Sequence, residues 1–195
     1  MTFKRALAIA FLLIGCIPEP GAAAVKSPGL AQVAGRYMIS ASSSIGFTVE
    51  QVGGGGIRGR FGEFSGSFDL KPGNLSRAVV SFELMPESVA TGQARIDEFL
   101  RSGAVFDTAR YERIVFRSSR VEQTGPDTAR VTGILTAKGH SSTEMFEVRL
   151  VEWSGRSIRF DVRGRVFRSR YGMDVGTPIY SNVVQFDMRI TGQRR

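Results

Sequence analysis

The sequence predicts an all-β protein, an eight-stranded antiparallel up-and-down barrel with one short helix closing one end. Three observations carry this. Apolar and polar residues alternate with a period of two in segment after segment between Ser44 and Thr191. Short clusters of Gly, Pro, Asn and Asp separate those segments. Residues 91–110 break the alternation, with Ile96, Phe99 and Leu100 at i, i+3 and i+4 of a short amphipathic helix.

Residues 1–24 read as an export signal. Lys4 and Arg5 form a positive start, 6–17 an apolar stretch too short to span a bilayer, and Ala22, Ala23 and Ala24 a small-residue cleavage site. The one cysteine, Cys16, ends Leu13-Ile14-Gly15-Cys16, which resembles a bacterial lipobox. The mature protein is therefore expected to be periplasmic, either free or lipid-anchored through Cys16. In the free form no cysteine survives cleavage, so no intrachain disulfide or thiolate site is available. Residues 25–36 are rich in Ala and Gly and read as a flexible tether, leaving 37–195 as one barrel domain.

The barrel elements follow in order. After a short segment at 37–40, residues 44–52 set Ile45, Phe47 and Val49 against Gly46, Thr48 and Glu50, and 53–56 are four glycines in a loop. Ile57, Gly59 and Phe61 share one parity, while Phe64, Gly66, Phe68 and Leu70 share the other. A regular strand cannot switch faces, so a bulge or kink is placed at Gly62-Glu63. Lys71-Pro72-Gly73-Asn74 is a turn, and 77–85 is a strand ended by Pro86. In the helical stretch Thr91 is the expected N-cap, Arg101 lies in the last turn, and Gly103 is the stop. Val105, Phe106 and Tyr111 pin the connection to the barrel mouth. Strands at 114–121, 129–137, 144–153, 157–167 and 183–191 complete the wall. Eight strands are expected, with the 37–40 segment included and the bulged segment taken as one, and closure removes exposed edges. Pattern alone leaves open a sandwich in place of the barrel.

A chain with 42% apolar residues and 14 Phe has material for a packed or a ligand-filled interior. The inward positions are Phe47, Phe61, Phe64, Phe68, Phe82, Phe116, Leu135, Phe146, Val148, Phe160, Phe186 and Met188, with Phe99, Leu100 and Phe106 from the helical plug. An eight-stranded barrel has room for side chains alone or for one small ligand, and periodicity does not choose between them.

Catalytic and metal-binding groups are not expected. His140 is the sole histidine and stands in a Lys-Gly-His-Ser turn, without a second imidazole or a thiolate to join it in catalysis or zinc binding. Asp97-Glu98 would need an opposing carboxylate for glycosidase chemistry, and a solvated helix face explains them as well. No G-x-S-x-G elbow is present, and the glycines at 53–56 lack the Lys-Ser/Thr and following helix of a P-loop. The net charge of +8 favours anionic partners, which for an exported protein are a membrane surface or envelope polymers rather than nucleic acid. Arg159, Arg163 and Arg165 oppose Phe160, Val162 and Val166, as on a solvated strand face. Arg58, Arg60 and Arg95, beside loops, are the candidate contacts for a ligand's polar head.

Several phrases together resemble the YceI-like family. They are Ser44-Ile45-x-Phe47-x-Val49, Ile57-x-Gly59-x-Phe61-Gly62-Glu63-Phe64-x-Gly66, Ser88-Val89-x-Thr91-Gly92 leading to Leu100-Arg101-Ser102, Phe106-Asp107 with Tyr111 before Ile114-x-Phe116-x-Ser118, Gly133-Ile134-Leu135-Thr136-x-x-Gly139, and Arg168-x-x-Tyr171-Gly172-Met173. The resemblance runs from Tyr37 to the C-terminus. It implies a lipocalin-like barrel whose apolar pore holds a long isoprenoid or similar amphiphile, often in a dimer, with no catalytic residue and no cofactor beyond that lipid. Ser42 or Ser43 and Gln51 stand where the family carries His, and Glu112 where it carries Pro. The expectation is thus an exported carrier or sequestering protein for an isoprenoid-like lipid. Two other readings stay open: a barrel enzyme using Asp97 or His140 on a lipid or envelope sugar, and a ligand-free structural module whose basic surface binds anionic envelope components.

Overall fold

A computed structural model describes residues 29–71 and 73–195. The export signal at 1–24, Cys16, the start of the 25–36 segment and Pro72 of the predicted turn lie outside the described residues.

The strands are β1 (Gly35–Ile39), β2 (Ser44–Gln51), β3 (Gly56–Phe61), β4 (Phe64–Leu70), β5 (Val79–Leu84), β6 (Val89–Ala90), β7 (Ile114–Gln123), β8 (Thr128–Ala137), β9 (His140–Trp153), β10 (Ser157–Phe167) and β11 (Tyr180–Arg194), with the helix α1 at Ala94–Arg101. All pairings are antiparallel. Three pairs of short strands are each one wall strand with a break. β1 and β2 both pair with β11, β3 and β4 pair with β2 and β1, and β6 and β5 pair with β3 and β4. Counted that way the wall has eight strands, and the β1–β11 pairing closes it.

The breaks have local causes. Between β1 and β2 the chain bulges over Thr191, whose carbonyl accepts from Ser40 N at 2.8 Å while its N–H donates to Ser43 Oγ at 2.9 Å. Between β3 and β4, Gly62 N donates to Ser88 O at 3.1 Å and Glu63 N to Ser88 Oγ at 2.9 Å. That is the predicted kink, and it lets Phe61 and Phe64 share a face.

The structure corrects two expectations. From Gly29 onward the supposed tether is docked: residues Leu30–Gln32 form a 3-10 turn, and Leu30 and Val33 are 3% and 0% exposed. Leu30 lines the barrel cavity and Val33, just after the turn, is buried in the core, which the Ala/Gly composition conceals. Thr91 is not the N-cap, since Gln93 holds that position. Instead the Asp97 carboxylate folds back and accepts from Thr91 N at 2.7 Å and Thr91 Oγ1 at 2.6 Å.

The alternating strand directions sort the connections between two ends. The β2–β3 turn, the stretch from α1 to β7, the β8–β9 turn and residues 168–179 lie at one end. The N-terminal turn, residues 71–78 and the β7–β8 and β9–β10 turns lie at the other, where Trp153 Nε1 donates to Tyr37 Oη at 3.1 Å and Tyr37 stacks on Phe68 at 5.3 Å. Outward charges pair across strands, as in Arg159–Glu152 at 2.7 Å and Arg149–Asp161 at 3.2 Å, so the arginines of β10 serve a solvated face.

A candidate lipid-binding cavity

Inward residues of a strand face the barrel axis, and here they are almost all apolar. They enclose a cavity of about 520 Å³, within the roughly 300–1,000 Å³ common for small-molecule sites. Phe47, Phe61, Phe68, Phe82, Phe116, Leu135, Phe146, Val148, Phe160, Phe186 and Met188 line it from the wall, and Phe99, Leu100 and Phe106 from α1 and the turn after it. Phe64 is absent from the lining. Its ring stacks on Phe82 at 6.2 Å instead.

The cavity stays hollow because several inward positions are glycines with a ring laid over them. A methyl built on Gly59 would stand 2.6 Å from Phe47 Cζ, and one on Gly133 2.6 Å from Phe116 Cζ. Phe146 lies over Gly164 and Phe68 over Gly192 in the same way. A ring pressed on a bare backbone projects less toward the axis than one standing off a side chain, so 14 phenylalanines do not fill the middle.

The most exposed lining residues, Arg95, Phe99, Val175 and Gly176, all lie at the helix end. At the other end Leu30, Leu70, Leu75 and Ile190 are buried. Among the described residues the cavity is thus closed at that end and opens between α1 and residues 173–180.

Those residues are held by Arg168, which is 8% exposed. Its Nε donates to Ser181 O at 2.8 Å, Nη1 to Val175 O at 2.8 Å and to Met173 O, and Nη2 to Thr177 Oγ1 at 2.9 Å and Tyr180 O at 3.1 Å. Burial pushes the guanidinium's pKa below its ordinary value, and Asp174 nearby opposes that. Beside it the Tyr171 hydroxyl donates to Glu144 Oε1 at 2.9 Å. Both polar groups are therefore engaged with protein. Arg95 has no ion pair among the described residues and stands at the opening.

Of the three predicted head-group arginines, only Arg95 is at the cavity. Arg58 and Arg60 alternate with the inward Ile57, Gly59 and Phe61, so period two places them on the outer face, exposed. His140 is exposed at the start of β9. Asp97 is held as an acceptor by Thr91, whose hydrogen bonds keep its carboxyl below the usual range. Sequence reasoning missed Arg168, Tyr171, Met173, Val175 and Tyr180 as lining, and Glu144 as a buried acid. A signal was present: Arg168 continues the inward series Phe160, Val162, Gly164, Val166, and Glu144 shares the parity of Phe146 and Val148.

Comparison with known proteins agrees with this architecture. Over 176 residues the chain is 30% identical to a UPF0312 protein of Shewanella, covering 85% of this chain and 91% of that one. It is 27% identical over 183 residues to a UPF0312 protein of Vibrio cholerae, covering 90% and 96%. Among solved structures it superposes on Burkholderia cenocepacia BcnA with a TM-score of 0.73 at 22% identity, over 78% of this chain and 98% of that one. A polyisoprenoid binding domain from Saccharophagus degradans gives 0.68 at 15%, over 84% and 100%. Residues 37–192 match the model of the YceI-like domain, and with the closed barrel and the helix α1 in place, the chain belongs to the YceI-like domain family.

Proposed function

We propose that the protein holds one long, apolar-tailed amphiphile of isoprenoid type inside the barrel, as a carrier or sequestering agent in the periplasm. The observation that carries this is the apolar cavity, closed at one end among the described residues and open to solvent at the helix end. Each methylene taken out of water contributes about 0.8 kcal/mol, so a long chain is held without any bond-making chemistry. The inner end is lined by the buried side chains of Leu30, Leu70, Leu75 and Ile190, which leaves it fit for hydrocarbon alone. The ligand then enters tail first, and its head comes to rest near Arg95. The relative described as a polyisoprenoid binding domain supports this choice of ligand class, and the export-signal pattern supports the compartment. No step calls on Asp97 or His140 as acid or base.

Native mass spectrometry of protein purified without detergent tests the reading. A retained lipid mass is expected, released on denaturation. A bare chain mass after expression in a host that makes polyisoprenoids, with no uptake of added geranylgeraniol, would sink it.

A further inference from the structure

Three of the lining rings and two of the wall glycines share one level of the barrel. Register places Gly59 opposite Phe47, Phe47 opposite Phe186, Phe186 opposite Gly164, and Gly164 opposite Phe146. This is a continuous inward belt across five neighbouring strands, three rings and two glycines. Phe146 and Phe186 meet edge to face at 6.5 Å across Gly164.

Neither glycine is required by its own backbone. Both lie inside strands, where glycine is unfavourable, and neither has the positive φ that excludes a side chain. For Gly164 the obstacle to a methyl group is the Phe146 ring, and for Gly59 it is the Phe47 ring with Thr91 Cγ2 at 3.1 Å. An added methyl group therefore leaves the strand intact and moves a ring. With the wall behind it, that ring swings toward the axis.

We propose that Gly59 and Gly164 set the width of the bore at this belt and so admit a methyl-branched chain. A straight alkyl chain is narrower and passes a tighter ring. This rests on the lipid-holding reading and adds a selectivity to it: the two glycines favour branched, isoprenoid-type hydrocarbon over straight acyl hydrocarbon.

The test compares two alcohols of equal main-chain length, geranylgeraniol and hexadecanol, by competition against a fluorescent lipid. In Gly164→Ala and in Gly59→Ala, affinity for geranylgeraniol is expected to fall about tenfold or more, and for hexadecanol less than about threefold. Phe146→Leu added to Gly164→Ala should restore the branched ligand, because the smaller side chain clears the bore. Near-UV circular dichroism reports whether each variant keeps the native core, and the two glycines provide independent trials. Equal losses for both alcohols, or no recovery in the double variant, overturns the inference. Wild-type protein that takes up neither alcohol overturns the lipid-holding reading itself, and this inference with it.

Discussion

The Tyr171 hydroxyl donates a 2.9 Å hydrogen bond to the carboxylate of Glu144, and both side chains are almost wholly buried, at 2% and 4% exposed. Arg170 adds a second donor at 3.3 Å from the more exposed side. An acid on an inward strand position needs such partners, since a buried polar group left unpaired is costly. Tyr171→Phe removes one donor without changing the ring, and it should lower stability by about 1–3 kcal/mol in urea unfolding at neutral pH. Burial, and next the Glu144 contact, raise the phenol's pKa well above its ordinary value of 10.0. A raised pKa gives stability that is complete below the unfolded value and declines as pH rises above it. The gap between wild type and Tyr171→Phe should therefore narrow above pH 10, and a gap that widens there would contradict this assignment.

Arg168 carries a different load. Its donors reach four backbone carbonyls and one hydroxyl between residues 173 and 181, so it organises the segment that flanks the cavity opening. Arg168→Lys keeps the charge but replaces a planar five-donor fork with a point charge bearing three donors. The expected outcome is faster amide hydrogen exchange through 173–181 with little change in β8 or β9, and a loss of about 2–3 kcal/mol in global stability. Unchanged exchange in that segment would show that it holds its shape without the guanidinium.

How much of this was legible beforehand follows from what period two can and cannot say. Alternation assigns faces, so the wall, most of the lining and the kink at Gly62-Glu63 could be read directly, the kink because Phe61 and Phe64 conflict in parity. Alternation carries no register. Phe47 and Gly59 sit twelve positions apart and meet only because β2 and β3 pair as they do, so the hollow centre was invisible while the phenylalanines were not. The ends were harder still. Leu30 and Val33 lie in a stretch whose composition suggests a tether, and Arg168 looks like any surface arginine until the inward series of β10 is continued one step past the strand.

The start of α1 depends on a carboxylate rather than on the hydroxyl expected there. Thr91 donates through both its N–H and its Oγ1 to Asp97 Oδ1, and these bonds lower the Asp97 pKa below its ordinary 3.8. A depressed pKa contributes stability that is present above the unfolded value and lost as pH falls through the folded one. Thermal melts of wild type and Asp97→Asn should differ at pH 7 and converge as pH falls from the ordinary carboxylate value of 3.8 through the lowered folded one. Lipid affinity at pH 7 should change little in Asp97→Asn and in His140→Ala. A collapse of function in either, with the fold retained, would favour the enzyme reading.

The rim of the opening is apolar as well as the bore. Phe99 and Val175 line the cavity while 44% and 41% exposed, and Ile179 and Val52, joined by a 2.9 Å bond from Val52 N to Ile179 O, are 57% and 76% exposed at the same end. A lipid passing between a bilayer and the cavity would cross that rim, and exposed apolar side chains around it can enter the headgroup boundary. Contact with a membrane should accordingly be driven by these residues more than by the basic outer wall, where Arg58, Arg60, Arg163 and Arg165 are exposed. Flotation with vesicles of phosphatidylethanolamine and phosphatidylglycerol gives the measurement. Ile179→Asp and Val52→Asp should each reduce binding by about tenfold, while Met145→Asp, on the outer wall and 46% exposed, should leave it unchanged. Binding that disappears in high salt but survives both rim substitutions would place the contact on the basic wall instead.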